Sequence, residues 1–304
     1  METIRFPSGG VTCAGDLYLP EGASADSPKP GIVLGHGFTI TKQSLAEEAT
    51  FLSSNGYVCL AIDYRTFGES DGEPRGQLFP LNEAEDIRNA VSYLQHRPEV
   101  DAEKIGFWGA SFGGALAIYT AGVDRRIKAS VAVVPVINGR RWMQALKTSA
   151  EWEELLDRLE ADRDRRYQTG ESERIPSTGR SRRAALTLTD RTVQAFQSAA
   201  EKLGKMPVVN DLEITVESLE KIIEFSPDDV IQHIGPRALM IITTSGWDVV
   251  HLLEHIQDAY AKANEPKKLV LLPYTELDFY MEPGRSTGLR HALEWYNQHI
   301  PIGG

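Results

Sequence analysis

The chain holds only two cysteines, Cys13 and Cys59, in "VTCAGDLYL" and "YVCLAIDY", apolar stretches that each read as a strand. Two thiols inside strands do not make a disulfide scaffold, and no Cys/His spacing resembles a zinc site. No structural metal and no cofactor are therefore expected. Long hydrophobic runs are also lacking: nothing approaches eighteen consecutive apolar residues, and Met-Glu-Thr-Ile-Arg is not the basic-then-apolar opening of a leader. A cytoplasmic protein that does not enter the membrane is the expectation. Positive charge is scarce, with 32 Lys and Arg against 43 Asp and Glu and a formal net charge of −11. That balance argues against nucleic acid or an anionic membrane as partner and leaves a small-molecule substrate. Repeats and low-complexity tracts are absent as well. What remains, 41% apolar and 25% charged over 304 residues, is ordinary for a globular protein with a sizeable core.

The apolar pattern has two regimes. "TIRFP" and "VTCAGDLYLP", joined at Ser8-Gly9-Gly10, read as an antiparallel pair. Continuous apolar runs then alternate with amphipathic stretches. "GIVLGHG", "YVCLAIDY", "KIGFWGA" and "IKASVAVVPV" are strands buried on both faces, and "KQSLAEEATFLSSNG" and "LNEAEDIRNAVSYLQHR" are helices. Such alternation predicts an α/β fold around a mostly parallel, doubly wound sheet. It stops after Pro135. Residues 138–232 are rich in Arg, Glu and Asp, with helical stretches over 142–167, 189–203 and 214–225. This block reads as a helical lid inserted into a sheet domain made of residues 1–137 and 233–304. The sheet pattern resumes with "RALMIITT", a helix over 250–263, "KKLVLLP" and a last helix over 286–299.

The strongest chemical signal is Gly109-Ala110-Ser111-Phe112-Gly113, a G-x-S-x-G directly after a strand and directly before a helix. A serine on so sharp a turn exposes its hydroxyl, and glycines on both sides let the turn close. "VLGHGFT" ends an earlier strand, where a loop would bring the N–H of Phe38 beside that of Phe112 as an oxyanion hole. His36 in this loop reads as a residue that orders it by hydrogen bonding.

With these segments, and with "DYRTFGESDGEPRG" and "GVDRRIKASVAVVPV", the chain resembles the α/β-hydrolases. It looks like the lidded dienelactone-hydrolase-like or X-prolyl-peptidase-like group that includes polyketide thiohydrolases and bacterial esterases. The resemblance implies an α/β-hydrolase fold, activity on esters, lactones or thioesters, and a homodimer. It also implies a triad in the order Ser, acid, His. Ser111 fits the first place, and Asp248 in "TTSGWDVVHLLEH" the second. The third is expected just after "KKLVLLP", where this chain reads Tyr274-Thr275-Glu276-Leu277-Asp278. Glu276 stands where the resemblance calls for histidine.

A glutamate is a weaker base than histidine by roughly two pKa units, and an ionised one donates no hydrogen bond to Asp248. Two close carboxylates would instead tend to hold a proton between them. The alternative base is His251, three residues past Asp248. Trp142, Trp247 and Tyr274 are candidate pocket residues, Trp247 first because it adjoins the presumed acid. Three functions fit. The first is an ester, lactone or thioester hydrolase of a small apolar substrate, with an altered relay. The second is a lyase- or isomerase-type enzyme using Ser111 with the Glu276 and Asp248 carboxylates. The third is an inactive or engineered variant that only binds ligand.

Overall fold

The computed structural model describes residues 1–179, 184–187, 212–246, 248 and 250–303. Its frame is an eight-stranded sheet. β1 (Glu2–Ser8) and β2 (Val11–Tyr18) form a hairpin in register Ser8↔Val11, closed by Gly9 and Gly10 at φ +53° and +87°. Both φ values are of the kind a two-residue turn of matching twist needs and side chains resist. β2 pairs antiparallel with β4 (Val58–Ile62), and every later pair is parallel. In chain order the others are β3 (Lys29–Gly35), β5 (Val100–Ala110), β6 (Ile127–Val133), β11 (Ala238–Thr244) and β12 (Lys267–Leu272). Across the sheet the order is β1-β2-β4-β3-β5-β6-β11-β12.

The buried runs foreseen as parallel strands form them because helices cover both faces. α1 (Ala46–Ser54) and α8 (Gly284–His299) pack on one face through Leu52, Leu289, Ala292 and Tyr296. α2 (Pro80–Gln95), α3 (Phe112–Val123) and α7 (Leu253–Lys262) cover the other through Ile87, Val91, Leu116, Ile118, Ile256 and Ala259. From β3 the chain moves to β4 on one side and then crosses to β5 on the other. The direction of winding therefore reverses between β3 and β5. In doubly wound sheets the crevice at such a reversal, beyond the carboxyl ends of the strands, is the place for a ligand.

Between β6 and β11 the chain leaves the sheet. α4 (Gly139–Ala145) and α5 (Ser149–Thr169) stand where periodicity alone suggests one helix over 142–167. The break is made by Thr148, which caps α5 in a reciprocal box with Glu151. β7 (Arg174–Pro176), β8 (Thr178–Gly179), β9 (Leu186–Thr187) and β10 (Glu213–Thr215) follow as short ribbons, then α6 (Val216–Ile223). The helix expected over 189–203 lies outside the described residues. Trp142, Leu155, Leu159, Leu219 and Phe225 of this segment join the same core as α2 and α3. The described part of the segment thus packs onto one face of the sheet domain. Among the described residues no helix is long and apolar enough to cross a membrane.

Candidate active site

β5 ends at Ala110, and the next residue, Ser111, takes φ +55° and ψ −116°, a strained conformation for a residue with a side chain. Two glycines permit it. A Cβ on Gly109 would sit 2.1 Å from the Gly113 carbonyl oxygen, and one on Gly113 would sit 2.3 Å from that of Gly35. The elbow therefore packs backbone to backbone on the end of β3 and sets the loop Gly35–Phe38 beside the serine. Gly37 is part of the same contact, with room for a Cβ only 3.4 Å from the Ala110 carbonyl oxygen. The elbow is pinned from below: the Ser111 N–H donates to Val133 and its carbonyl accepts from Val136.

Phe112 opens α3, so its N–H belongs to the first turn and has no partner within the helix. The ring of Phe38, on the facing loop, stands edge-on to that of Phe112 at 6.3 Å between centroids. These are the two residues expected to form an oxyanion hole, and they lie side by side. His36 is fully buried, and its Nδ1 lies 2.9 Å from the Gly37 carbonyl oxygen. Burial lowers its pKa, which keeps the ring neutral. It orders the loop.

The partner of Ser111 is His251. Ser111 Oγ lies 2.8 Å from His251 Nε2, and His251 Nδ1 lies 3.2 Å from Asp248 Oδ2. Asp248 is acceptor-only when ionised, so Nδ1 carries the proton and donates it, leaving Nε2 to accept from the serine hydroxyl. The other oxygen of Asp248 accepts the backbone N–H groups of Val250 and His251, at 2.8 and 2.7 Å. One carboxylate thus holds both the backbone and the ring of the histidine, and both side chains are only 4% exposed. Such a chain can take the proton from Ser111 as its oxygen attacks and return it to a leaving group.

The side chain of Glu276, the expected third member, lies outside the described residues. The group bridging Ser111 and Asp248 is the imidazole of His251, from the same loop as the acid. Glu276 opens a 3-10 turn, Glu276–Tyr280, in the loop after β12. His251 attains its place by reach: three residues after Asp248, its backbone N–H and ring both bind the carboxylate and the ring meets the elbow. Tyr274, expected in the pocket, is partly buried against the α1 and α8 core, its ring edge-on to Phe279 at 6.3 Å. Trp247 lies outside the described residues.

Trp142 does lie near the serine. Its ring is 5.9 Å from Phe38 and 6.1 Å from Phe112, and Phe225 stands 6.1 Å from Phe112. Tyr119 extends the cluster to Phe225 at 5.0 Å. Phe225 and Tyr119 went unnoticed in the sequence because neither belongs to a motif. The wall they build is apolar. Among the described residues no group of three or more His, Cys, Asp or Glu side chains could hold a metal.

The prolyl oligopeptidase family matches residues 43–173. A polyketide transferase, grgF, of Penicillium sp is 28% identical over 96% of this chain and 94% of its own length. The thiohydrolase apmlB of Arthrinium phaeospermum is 27% identical, covering 88% of this chain and 86% of that protein. The uncharacterized protein PA2218 of Pseudomonas aeruginosa is 30% identical over 89% of this chain and 73% of that protein. The crystal structure of PA2218 superposes with a TM-score of 0.84 over 98% of this chain and 93% of that one, at 25% identity. That of GrgF, described as an α/β hydrolase, gives 0.80 at 24% identity over 98% of both chains and so speaks to the fold.

Proposed function

We propose, for a chain that belongs to the α/β-hydrolase superfamily, that it cleaves a carboxylic ester or thioester by way of an acyl-enzyme on Ser111. The observation that carries the reading is the 2.8 Å contact of Ser111 Oγ with His251 Nε2, backed by Asp248. Ser111 is the nucleophile, His251 the general base and then acid, and Asp248 the group that fixes the tautomer and favours the imidazolium. The N–H groups of Phe38 and Phe112 receive the oxyanion, at roughly 3 kcal/mol each in the transition state.

The substrate is a small neutral acyl compound. Phe38, Phe112, Trp142 and Phe225 pack ring against ring beside the elbow, an apolar surrounding that favours an apolar acyl group. The thiohydrolase and transferase names of the relatives favour a thioester over an oxygen ester. Residues 138–232 act as a lid, since Trp142 and Phe225 reach from it to the residues flanking the serine.

The test is steady-state hydrolysis of p-nitrophenyl butyrate and of butyryl-N-acetylcysteamine by the chain, Ser111→Ala and His251→Ala. Turnover by the chain, abolished in both variants and faster with the thioester, supports the proposal. Equal activity in all three proteins overturns it.

A further inference from the structure

Two hydrogen bonds join His251 to Asp248 and a third ties the Val250 N–H to the same carboxylate, but these bonds fix only the local shape of the loop. Placement of the unit against Ser111 must come from its anchors. On the carboxyl side it runs into α7. On the amino side lie Ser245 and Gly246, directly after β11.

There the side chain of Thr244, the last residue of β11, makes two bonds at once. Its Oγ1 donates to the carbonyl oxygen of Tyr274, in the turn after β12, and accepts the N–H of Gly246 at 2.7 Å. The hydroxyl is fully committed, one proton out and one proton in, and Thr244 is 2% exposed. Two further contacts repeat the link. Ser245 donates its N–H to Leu272 at 2.9 Å, and Gly246 lies so near Tyr274 that a Cβ would stand 2.2 Å from that residue's carbonyl oxygen. Valine fills the same volume as threonine but can make neither of the two hydroxyl bonds.

We infer that Thr244 is a positioning residue, whose hydroxyl clamps the start of the Asp248–His251 loop onto the end of β12 and so sets the distance between His251 and Ser111. The inference rests on the relay proposed above. It also gives the turn after β12 a role: its Tyr274 carbonyl is the fixed point from which the relay loop is hung. Relaxation by even a fraction of an ångström lengthens the Ser111 to His251 contact, and misplacement of a reacting group by about 1 Å costs on the order of 100-fold in rate.

The experiment compares Thr244→Val, Thr244→Ser and Gly246→Ala with the unaltered chain on p-nitrophenyl butyrate, with kcat, KM and the pH profile of kcat/KM measured for each. Thr244→Val should lower kcat by about 10- to 100-fold with KM within about twofold, and should shift the acid limb of the profile. Thr244→Ser, which keeps the hydroxyl, should recover most of the loss, and Gly246→Ala should reproduce it by pushing the loop off Tyr274. His251→Ala, run beside them, separates the two claims. If it stays active, the relay itself is wrong. If it is dead while Thr244→Val keeps kcat and the pH limb, or Thr244→Ser fails to rescue, the relay stands and the clamp is refuted.

Discussion

Glu48 offers a test of how this sheet domain responds to pH. It faces α8 from α1, the helix that follows the candidate oxyanion loop, and only 3% of it is exposed. Arg285 is its ion-pair partner, with Nε 3.1 Å from Glu48 Oε1, but the same guanidinium also pairs with Glu47. The second oxygen, Oε2, has no hydrogen-bond partner. Burial therefore outweighs the attraction of Arg285, and the carboxyl pKa is pushed up to about 7. A folded-state value raised above the unfolded one means that the native protein holds a proton the unfolded chain has already lost. Stability from this group is complete below about pH 4.5 and declines as the pH rises towards 7. At 1.36 kcal/mol per pKa unit the total loss is on the order of 3 kcal/mol. Glu48→Gln keeps the shape and cannot ionise. Urea melts of both proteins at pH 5 and pH 8 should show the variant gaining on the unaltered chain by on the order of 3 kcal/mol between the two. A stability difference that is the same at both pH values, or a variant weaker at pH 8 than at pH 5, would refute the argument that burial dominates.

Two further substitutions probe other parts of the account. Asp248→Asn keeps the loop shape but reverses the hydrogen-bond sense at His251 Nδ1, so kcat on p-nitrophenyl butyrate should fall by about 10³- to 10⁴-fold with little change in the melting temperature; a loss under tenfold would remove Asp248 from the relay. Lys42→Met takes the ammonium from Asp16 and Glu69, which lie 3.1 and 3.0 Å away, and Asp16 is itself only 6% exposed. Urea unfolding should show a loss of about 3–5 kcal/mol, largely recovered when Asp16→Asn is added.

The elbow and the loop before it were legible in the sequence for steric reasons. Gly109 and Gly113 are places where backbone meets backbone, and no other residue type would do there. The parallel strands were legible because they are buried on both faces and so lack alternation. The base was harder to place. Position along the fold points to the turn after β12, and Glu276 stands there. The nearer signal was the pair Asp248 and His251, three residues apart, close enough for one carboxylate to bind both the ring and the backbone N–H of the histidine. Spacing along the chain gives no hint of which loop folds back onto Ser111, because that depends on how β11 is anchored to β12. The split between α4 and α5 is a similar case: helical periodicity runs through it, whereas Thr148-Ser-Ala-Glu151 carries the capping signal that breaks it. The aromatic wall of Phe38, Trp142, Phe112 and Phe225 joins residues from two loops and two helices of distant sequence, which only the packing reveals.

The central claim is that His251, and not Glu276, activates Ser111. It is tested most directly by the rate at which a fluorophosphonate labels Ser111 in the unaltered chain, in His251→Ala and in Glu276→Gln, followed by intact mass and located by peptide mapping. The account predicts that the chain and Glu276→Gln label at the same rate on Ser111, while His251→Ala labels at least about 100-fold more slowly. Rapid labelling of His251→Ala together with loss of labelling in Glu276→Gln would contradict it.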